Sequence, residues 1–232
     1  MSDLWQQIWE KRTLEPQHAI TLETLISLDG FDSGAGKINL ADWQEYTRRI
    51  SEKLGLKTGD SVFEVGCGAG AFLYSLREQM ALEVGGLDYA SGLIAAAQKA
   101  MPDGEFLVQG AQSLDIQSPY DFVIANSVFH YFDEATAAQV LQAMWQKASH
   151  GIAILDVPNS ATRDACERAR RDALTQAEYE EKYKGLHHTY YTPEWFIAQL
   201  PDWPHQAFES CVPNYAQSGF RFSVIFSKHL HG

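Results

Sequence analysis

The sequence is poor in cysteine and has no spacing of side chains that is typical of a metal site. Its 232 residues include three cysteines, Cys67, Cys166 and Cys211, which lie far apart in the chain. A small, odd number of separated cysteines is typical of reduced thiols rather than of a disulfide framework. We therefore expect free thiols and no bound metal.

Basic residues and long hydrophobic runs are also scarce. Lysine and arginine total 18 against 30 acidic residues, which gives a net charge of −12. This balance argues against nucleic acid as the main partner. No apolar run approaches the length of a membrane span, and the N-terminus lacks the basic and apolar regions of an export signal. We expect a cytoplasmic protein with neither a nucleic-acid nor a membrane partner, and the sequence leaves its oligomeric state open.

Residues 62–73 form the most informative stretch of the chain. β-branched and aromatic residues predict a buried strand over residues 62–65. Gly66, Gly68 and Gly70 follow, and a backbone without Cβ atoms can turn sharply and let a ligand approach closely. The helix predicted after the turn presents its free N–H groups at the same point. This pattern predicts a site for a cofactor that contains a nucleoside.

Two cofactor classes fit this turn. Gly66, Gly68 and Ala71 satisfy the G-x-G-x-x-G/A pattern of dinucleotide-binding proteins, so the glycines leave both classes open. Glu64 stands two residues before the first glycine, at the carboxyl end of the predicted strand. A carboxylate there would repel a pyrophosphate but would attract a sulfonium or an amino group. Glu64 therefore favours a cationic cofactor over a dinucleotide.

The string Glu64-x-Gly66-x-Gly68-x-Gly70 resembles the first motif of the class I S-adenosylmethionine-dependent methyltransferases. The resemblance covers about residues 55–157 by motif, and the end of the chain by the order of its strands. It implies an α/β fold with a doubly wound, Rossmann-like seven-stranded sheet, mostly parallel with a C-terminal antiparallel hairpin. It also implies a single domain over residues 1–232, with a helical lid over 1–55 and a helical substrate-side insertion over 158–195.

Asp88 is the second candidate for a cofactor contact. It ends the second predicted strand, 18 residues after Gly70, near the spacing at which an acidic residue accepts hydrogen bonds from ribose hydroxyls. Both cofactor classes contain such a ribose, and a helix cap is the alternative role. The family's usual acidic residue after the third strand is replaced here by Gly110. The resemblance implies these further cofactor contacts: Glu64, Gly66, Cys67, Gly68, Tyr89, Ala111, Gln112, Asn126, Ser127 and Tyr46.

His130 is the candidate catalytic residue. It follows the fourth predicted strand, where the family's active site opens, and its ordinary pKa lies near neutrality, as suits a general base. The alternative is that His130 contacts cofactor or packs, while methyl transfer runs by proximity and in-line alignment. Residues predicted to face the acceptor are Tyr131, Asp156, His187, His188 and Tyr191. Two adjacent histidines without further ligands do not make a metal site.

Four arginines, Arg163, Arg168, Arg170 and Arg171, stand out in this acidic chain. They form either a solvated helix face or an anion-binding lip for a phosphorylated or carboxylated substrate. The function predicted is methyl transfer from S-adenosylmethionine to an oxygen or nitrogen of a small molecule. The rival hypotheses are an NAD-dependent oxidoreductase and a methyltransferase-like protein that binds cofactor without catalysing transfer.

Overall fold

The computed structural model describes residues 3–15, 19–31, 38–172 and 174–228. The helices are α1 Asp3–Glu10, α2 Leu22–Leu28, α3 Leu40–Leu54, α4 Ala71–Gln79, α5 Ser91–Ala100, α6 Glu134–Lys147, α7 Arg163–Asp172, α8 Gln176–Tyr183 and α9 Pro193–Gln199. The strands are β1 Ser61–Val65, β2 Glu83–Asp88, β3 Glu105–Val108, β4 Tyr120–Asn126, β5 Ala148–Pro158, β6 His205–Glu209 and β7 Arg221–Ser227.

The strands of the described ranges form one seven-stranded sheet in the order β3-β2-β1-β4-β5-β7-β6. Strands β1 to β5 pair in parallel, whereas β7 pairs antiparallel with both β5 and β6. The central strands carry almost unbroken apolar runs because helices cover both faces of a parallel sheet. The predicted α/β fold, with a mostly parallel seven-stranded sheet and a C-terminal antiparallel hairpin, is confirmed.

Alternation along the central strands sends side chains to two separate cores. Val62 packs with Trp43 of α3 and Phe72 of α4 on one face of the sheet. Phe63, its neighbour in β1, packs on the other face with the buried side of α6, represented by Leu141. Because successive side chains of a strand point to opposite faces, one run of apolar residues builds both layers. This arrangement is the doubly wound architecture.

Side-chain caps mark the starts of several helices. Asn39 and Thr175 each form a capping box with the residue three positions later. Asp133 and Thr192 cap α6 and α9 through their side chains. These caps satisfy N–H groups that a helix leaves without partners at its N-terminus. The longest described helix, α3, has 15 residues, and within the described ranges every helix is too short or too polar to span a bilayer.

Candidate active site

A cavity of about 950 Å³ opens at the carboxyl edge of the parallel strands. Its volume lies near the upper end of the range for small-molecule sites, and this edge is where open α/β sheets bind ligands. The ends of β1, β2 and β4 contribute to its walls, together with α1. The predicted site residues that line it are Glu64, Gly66, Cys67, Gly68, Asp88, Tyr89, Ala111, Gln112, Asn126, Ser127, His130, Tyr131 and His188.

The glycine turn between β1 and α4 needs glycine for two separate reasons. Gly66 and Gly68 have φ values of 71° and 54°, in the left-handed region that side chains disfavour. A Cβ atom at Gly66 would lie 2.5 Å from Cγ2 of Val128, and one at Gly68 would lie 2.2 Å from Oδ1 of Asp29. The backbone N–H of Gly66 donates to the carbonyl of Leu87 at 2.8 Å, which ties the turn to β2.

Asp29 closes the turn from the opposite side, and the sequence analysis did not identify it. Its Oδ1 accepts from the N–H of Ala69 at 2.6 Å, and its Oδ2 accepts from Ala71 at 3.1 Å. It therefore supplies the side-chain cap that Gly70, the N-cap residue of α4, lacks. Burial raises the pKa of Asp29 to about 7, against the lowering effect of these hydrogen bonds. Asp29 lies 40 positions before Ala69, and no local motif marks it.

Three carboxyl groups meet at this end of the cavity. Glu64 is 3% exposed, and its Oε2 has no hydrogen-bond partner among the described residues. Burial, reinforced by the charges of Asp29 and Asp88, raises the pKa of Glu64 well above its ordinary value. Asp88 accepts from the N–H of Ala90 at 2.8 Å and of Gly68 at 3.2 Å, and burial raises its pKa too. A buried carboxyl without a partner is costly alone and suits a cationic ligand.

Asn126 lies at the carboxyl end of β4 and is oriented from outside the cavity. The hydroxyl of Tyr46 donates to its Oδ1 at 2.8 Å. Tyr46 itself is fully buried and does not belong to the cavity lining. The structure therefore places Tyr46 behind Asn126, where it fixes the amide that faces the cavity.

Residues 62–151 match the family model of a methyltransferase domain. This match supports the resemblance of that segment to the class I S-adenosylmethionine-dependent methyltransferases. The matched segment contains the glycine turn, Glu64, Asp88 and Asn126, which line the cavity, whereas Asp29 precedes it. No curated protein matches the chain.

Solved methyltransferase structures share this fold at low sequence identity. Magnesium protoporphyrin IX methyltransferase from Synechocystis PCC 6803, with bound S-adenosylmethionine, is 16% identical with a TM-score of 0.59; the match covers 92% of this chain and 100% of that one. The plantazolicin methyltransferase BpumL, in complex with a pentazolic desmethylPZN analog and S-adenosylhomocysteine, is 16% identical with a TM-score of 0.61; the match covers 89% of this chain and 91% of that one. An S-adenosylmethionine-dependent methyltransferase from Clostridium acetobutylicum is 10% identical with a TM-score of 0.58, covering 88% and 96%.

The other end of the methyltransferase cavity is aromatic. Trp5 of α1 stacks on His188 with ring centroids 4.9 Å apart, and its indole N–H donates to the carbonyl of His187 at 3.1 Å. Tyr131 meets the edge of Trp5 at 5.2 Å, and the rings of His130 and His188 are 4.4 Å apart. The helix α1 thus lies against the segment that precedes α9 and lines the cavity together with it.

Both histidines of this aromatic end are neutral near pH 7. Burial, followed by the charge of His188 and of two arginines, lowers the pKa of His130 well below its ordinary value. Burial and the same two arginines lower the pKa of His188 to about 3. The Nδ1 of His130 and the Nε2 of His188 are buried and have no hydrogen-bond partner among the described residues.

Three residues predicted to face the acceptor lie outside the cavity lining. Asp156 is fully buried and binds the guanidinium of Arg221 at 2.6 Å. The side chain of His187 is exposed, and its carbonyl rather than its ring contacts Trp5. Tyr191 is buried, and its hydroxyl donates to the carbonyl of Phe132 at 2.8 Å. Arg221, which does line the cavity, was not identified from the sequence because the predicted strand ending the chain gave it no distinguishing motif.

Proposed function

We propose that this methyltransferase transfers a methyl group from S-adenosylmethionine to an oxygen or nitrogen of a small molecule. The observation that carries the proposal is the buried Glu64 carboxyl, which lies beside the Gly66 turn and has an oxygen without a hydrogen-bond partner among the described residues. A sulfonium and an amino group are cations that such a carboxyl would attract. When bound, the cofactor supplies an electrophilic methyl group.

Different lining residues would hold different parts of this cofactor. Glu64, Gly66, Cys67 and Gly68 would hold its methionine part, and Asp88 would accept from its ribose hydroxyls. Residues proposed for the adenine and for the methyl end are Tyr89, Ala111, Gln112, Asn126 and Ser127. A dinucleotide suits this cradle less well, because its pyrophosphate would lie among three carboxyl groups.

The aromatic end would exclude water from the acceptor and align it. Trp5, Trp9, Tyr131 and His188 offer flat apolar surfaces with polar tips, which suit a small molecule held in one orientation. Alignment of a nucleophile with the bond that breaks supplies several kcal/mol of rate enhancement, on the order of what effective molarities indicate. A cavity walled in this way also favours a small acceptor over a polymer.

We propose that His130 receives the proton that a hydroxyl or amine acceptor loses. Its imidazole lines the cavity, is neutral near pH 7 and has a buried Nδ1 without a hydrogen-bond partner in the part of the chain that the structure describes. The lowered pKa makes it a weak base, so catalysis would draw mainly on alignment, with His130 contributing less than the usual hundredfold of general-base catalysis.

Calorimetric titration of the purified protein with S-adenosylhomocysteine, and separately with NAD, tests the cofactor. We expect micromolar binding of the first and none of the second; the reverse result would assign the chain to oxidoreductases. Formation of S-adenosylhomocysteine from S-adenosylmethionine in the presence of an acceptor library then tests turnover. Binding without turnover of any acceptor would support the catalytically silent alternative instead.

A further inference from the structure

The charges that line the cavity are separated across the sheet. The carboxyl groups of Glu64 and Asp88 lie at the ends of β1 and β2, whereas Arg221 lies at the start of β7. Four strand spacings separate β2 from β7 in the observed order, which amounts to about 19 Å of backbone separation. Arg170 of α7 also lines the cavity. Carboxyl groups therefore lie where the cofactor would bind, and the guanidinium of Arg221, which is paired with Asp156, lies at the β7 side of the cavity.

Arg221 is buried and held in one orientation. It is 6% exposed, and its Nη1 donates to the carbonyl of Asp156 at 2.7 Å and to Oδ2 of Asp156 at 2.6 Å. The hydroxyl of Ser127 lies 3.4 Å from the same nitrogen. Among the described residues every hydrogen bond of Arg221 uses Nη1, so the donors on Nε and Nη2 remain for a ligand. A guanidinium presents such donors as a planar fork that matches a carboxylate.

Two residues that contact Arg221, Ser127 and Asp156, have strained backbone conformations. Ser127 follows directly after β4, and Asp156 lies within the neighbouring strand β5. Their φ values are 57° and 55°. Residues with side chains rarely adopt this region, and such strain concentrates at functional sites. The Oδ2 of Asp156 accepts from Ser127 and its Oδ1 from Ser210, at 2.5 Å and 2.8 Å. This network fixes the guanidinium at the cavity wall.

The residues around Arg221 indicate the shape and polarity of the rest of the ligand. Arg221 and Arg170 lie close enough to His188 that both lower its pKa, so the cationic and aromatic parts of the lining are adjacent. Trp5 and Tyr131 complete a wall of flat rings. A matching ligand has a planar apolar body and a negatively charged group.

We propose that the methyl acceptor is a small planar carboxylic acid, and that Arg221 binds its carboxylate while the rings of Trp5, Tyr131 and His188 hold its body. The inference rests on the proposed function, whose acceptor class it names. Arg221 would be a specificity-determining residue, since it would bind the carboxylate of the acceptor directly.

Binding to the protein saturated with S-adenosylhomocysteine tests the proposal without requiring turnover. The probes are benzoate, 4-coumarate and indole-3-acetate, each compared by calorimetry with its primary amide. A buried charge-assisted contact predicts that at least one acid binds about tenfold or more tightly than its amide. Equal binding of acids and amides, or no binding of any acid, would overturn the proposal.

A matched set of variants tests whether Arg221 causes the preference for acids over amides. Arg221→Gln combined with Asp156→Asn removes both buried charges together, so that neither is left unpaired. We expect this double variant to lose the preference for acids. Arg163→Gln removes one exposed positive charge from α7 and should keep the preference. A preference for acids that persists in the double variant would overturn the assignment to Arg221.

Binding of S-adenosylhomocysteine separates this test from the test of the proposed function. We expect the wild type and both variants to retain micromolar binding of it, which also shows that the variants are folded. Should the double variant fail to fold, Arg221→Lys serves in its place, because it keeps the charge but loses the planar fork and should reduce the preference for acids. Failure of the wild type to bind S-adenosylhomocysteine would overturn the proposed function itself.

Discussion

Replacing Glu64 by glutamine should stabilise the ligand-free protein while weakening its affinity for the cofactor. Burial and the charges of Asp29 and Asp88 raise the pKa of Glu64 above its ordinary value of 4.5. At a pH between 4.5 and the raised pKa, Glu64 keeps its proton in the folded protein but has lost it in the unfolded chain. The stabilisation is complete below the ordinary pKa, and stability is lost as the pH rises toward the raised pKa. Glutamine has no such proton to lose.

The size of both effects follows from this environment. Each pH unit in the interval costs the wild type about 1.4 kcal/mol of unfolding free energy. In a domain of this size, 1 kcal/mol changes Tm by about 2–4 °C. A hydrogen bond from a charged group is worth about 1.5–3 kcal/mol, so loss of the carboxylate should weaken binding of the ligand's amino group roughly ten- to hundredfold. Glu64→Gln is therefore expected to be more stable than the wild type but to bind the cofactor more weakly.

Thermal unfolding at three pH values between about 6 and 8 measures the first effect, and calorimetry with S-adenosylhomocysteine measures the second. Glu83→Gln is the matched control, because it removes an exposed carboxylate at the start of β2. The control should unfold and bind like the wild type. A Glu64→Gln variant that has a lower Tm than the wild type at the highest pH, or an unchanged affinity for S-adenosylhomocysteine, would refute the reasoning.

Three further changes probe other parts of the site. Asp88→Ala should weaken S-adenosylhomocysteine binding by about 1–3 kcal/mol in calorimetry, and unchanged affinity would contradict the ribose assignment. His130→Ala should lower kcat more than cofactor affinity. Since burial holds the pKa of His130 well below 6.5, the wild-type rate should show no inflection from this residue between about pH 6 and 8. Trp5→Ala should raise KM for the acceptor and leave cofactor affinity unchanged; an equal loss of both would place Trp5 against the cofactor.

Much of the fold and the cofactor end could be predicted because the determinants are close together in the chain. The turn at Gly66 and Gly68 lies between an apolar strand and an amphipathic helix, and Asp88 and Asn126 end strands that pair beside β1. Parallel strands bring their carboxyl ends to one edge, so residues that end such strands meet without further information. Helix starts at Asn39 and Thr175 were equally local, since a cap depends on residues three positions apart.

His130, Tyr131 and His188 could be predicted for the aromatic end of the cavity, but the contacts that surround them were decided by tertiary structure. Arg221 reaches Asp156 across 65 positions, and this contact buries a carboxylate that the sequence left open to face the substrate. Asp29 reaches the glycine turn across 40 positions, and Trp5 reaches His187 across 182. No periodicity or motif encodes such pairs, because each depends on how loops return over the sheet and on which polar groups then need partners. Sequence therefore determined the class of cofactor site, whereas tertiary packing decided which charges and rings line the rest of the cavity.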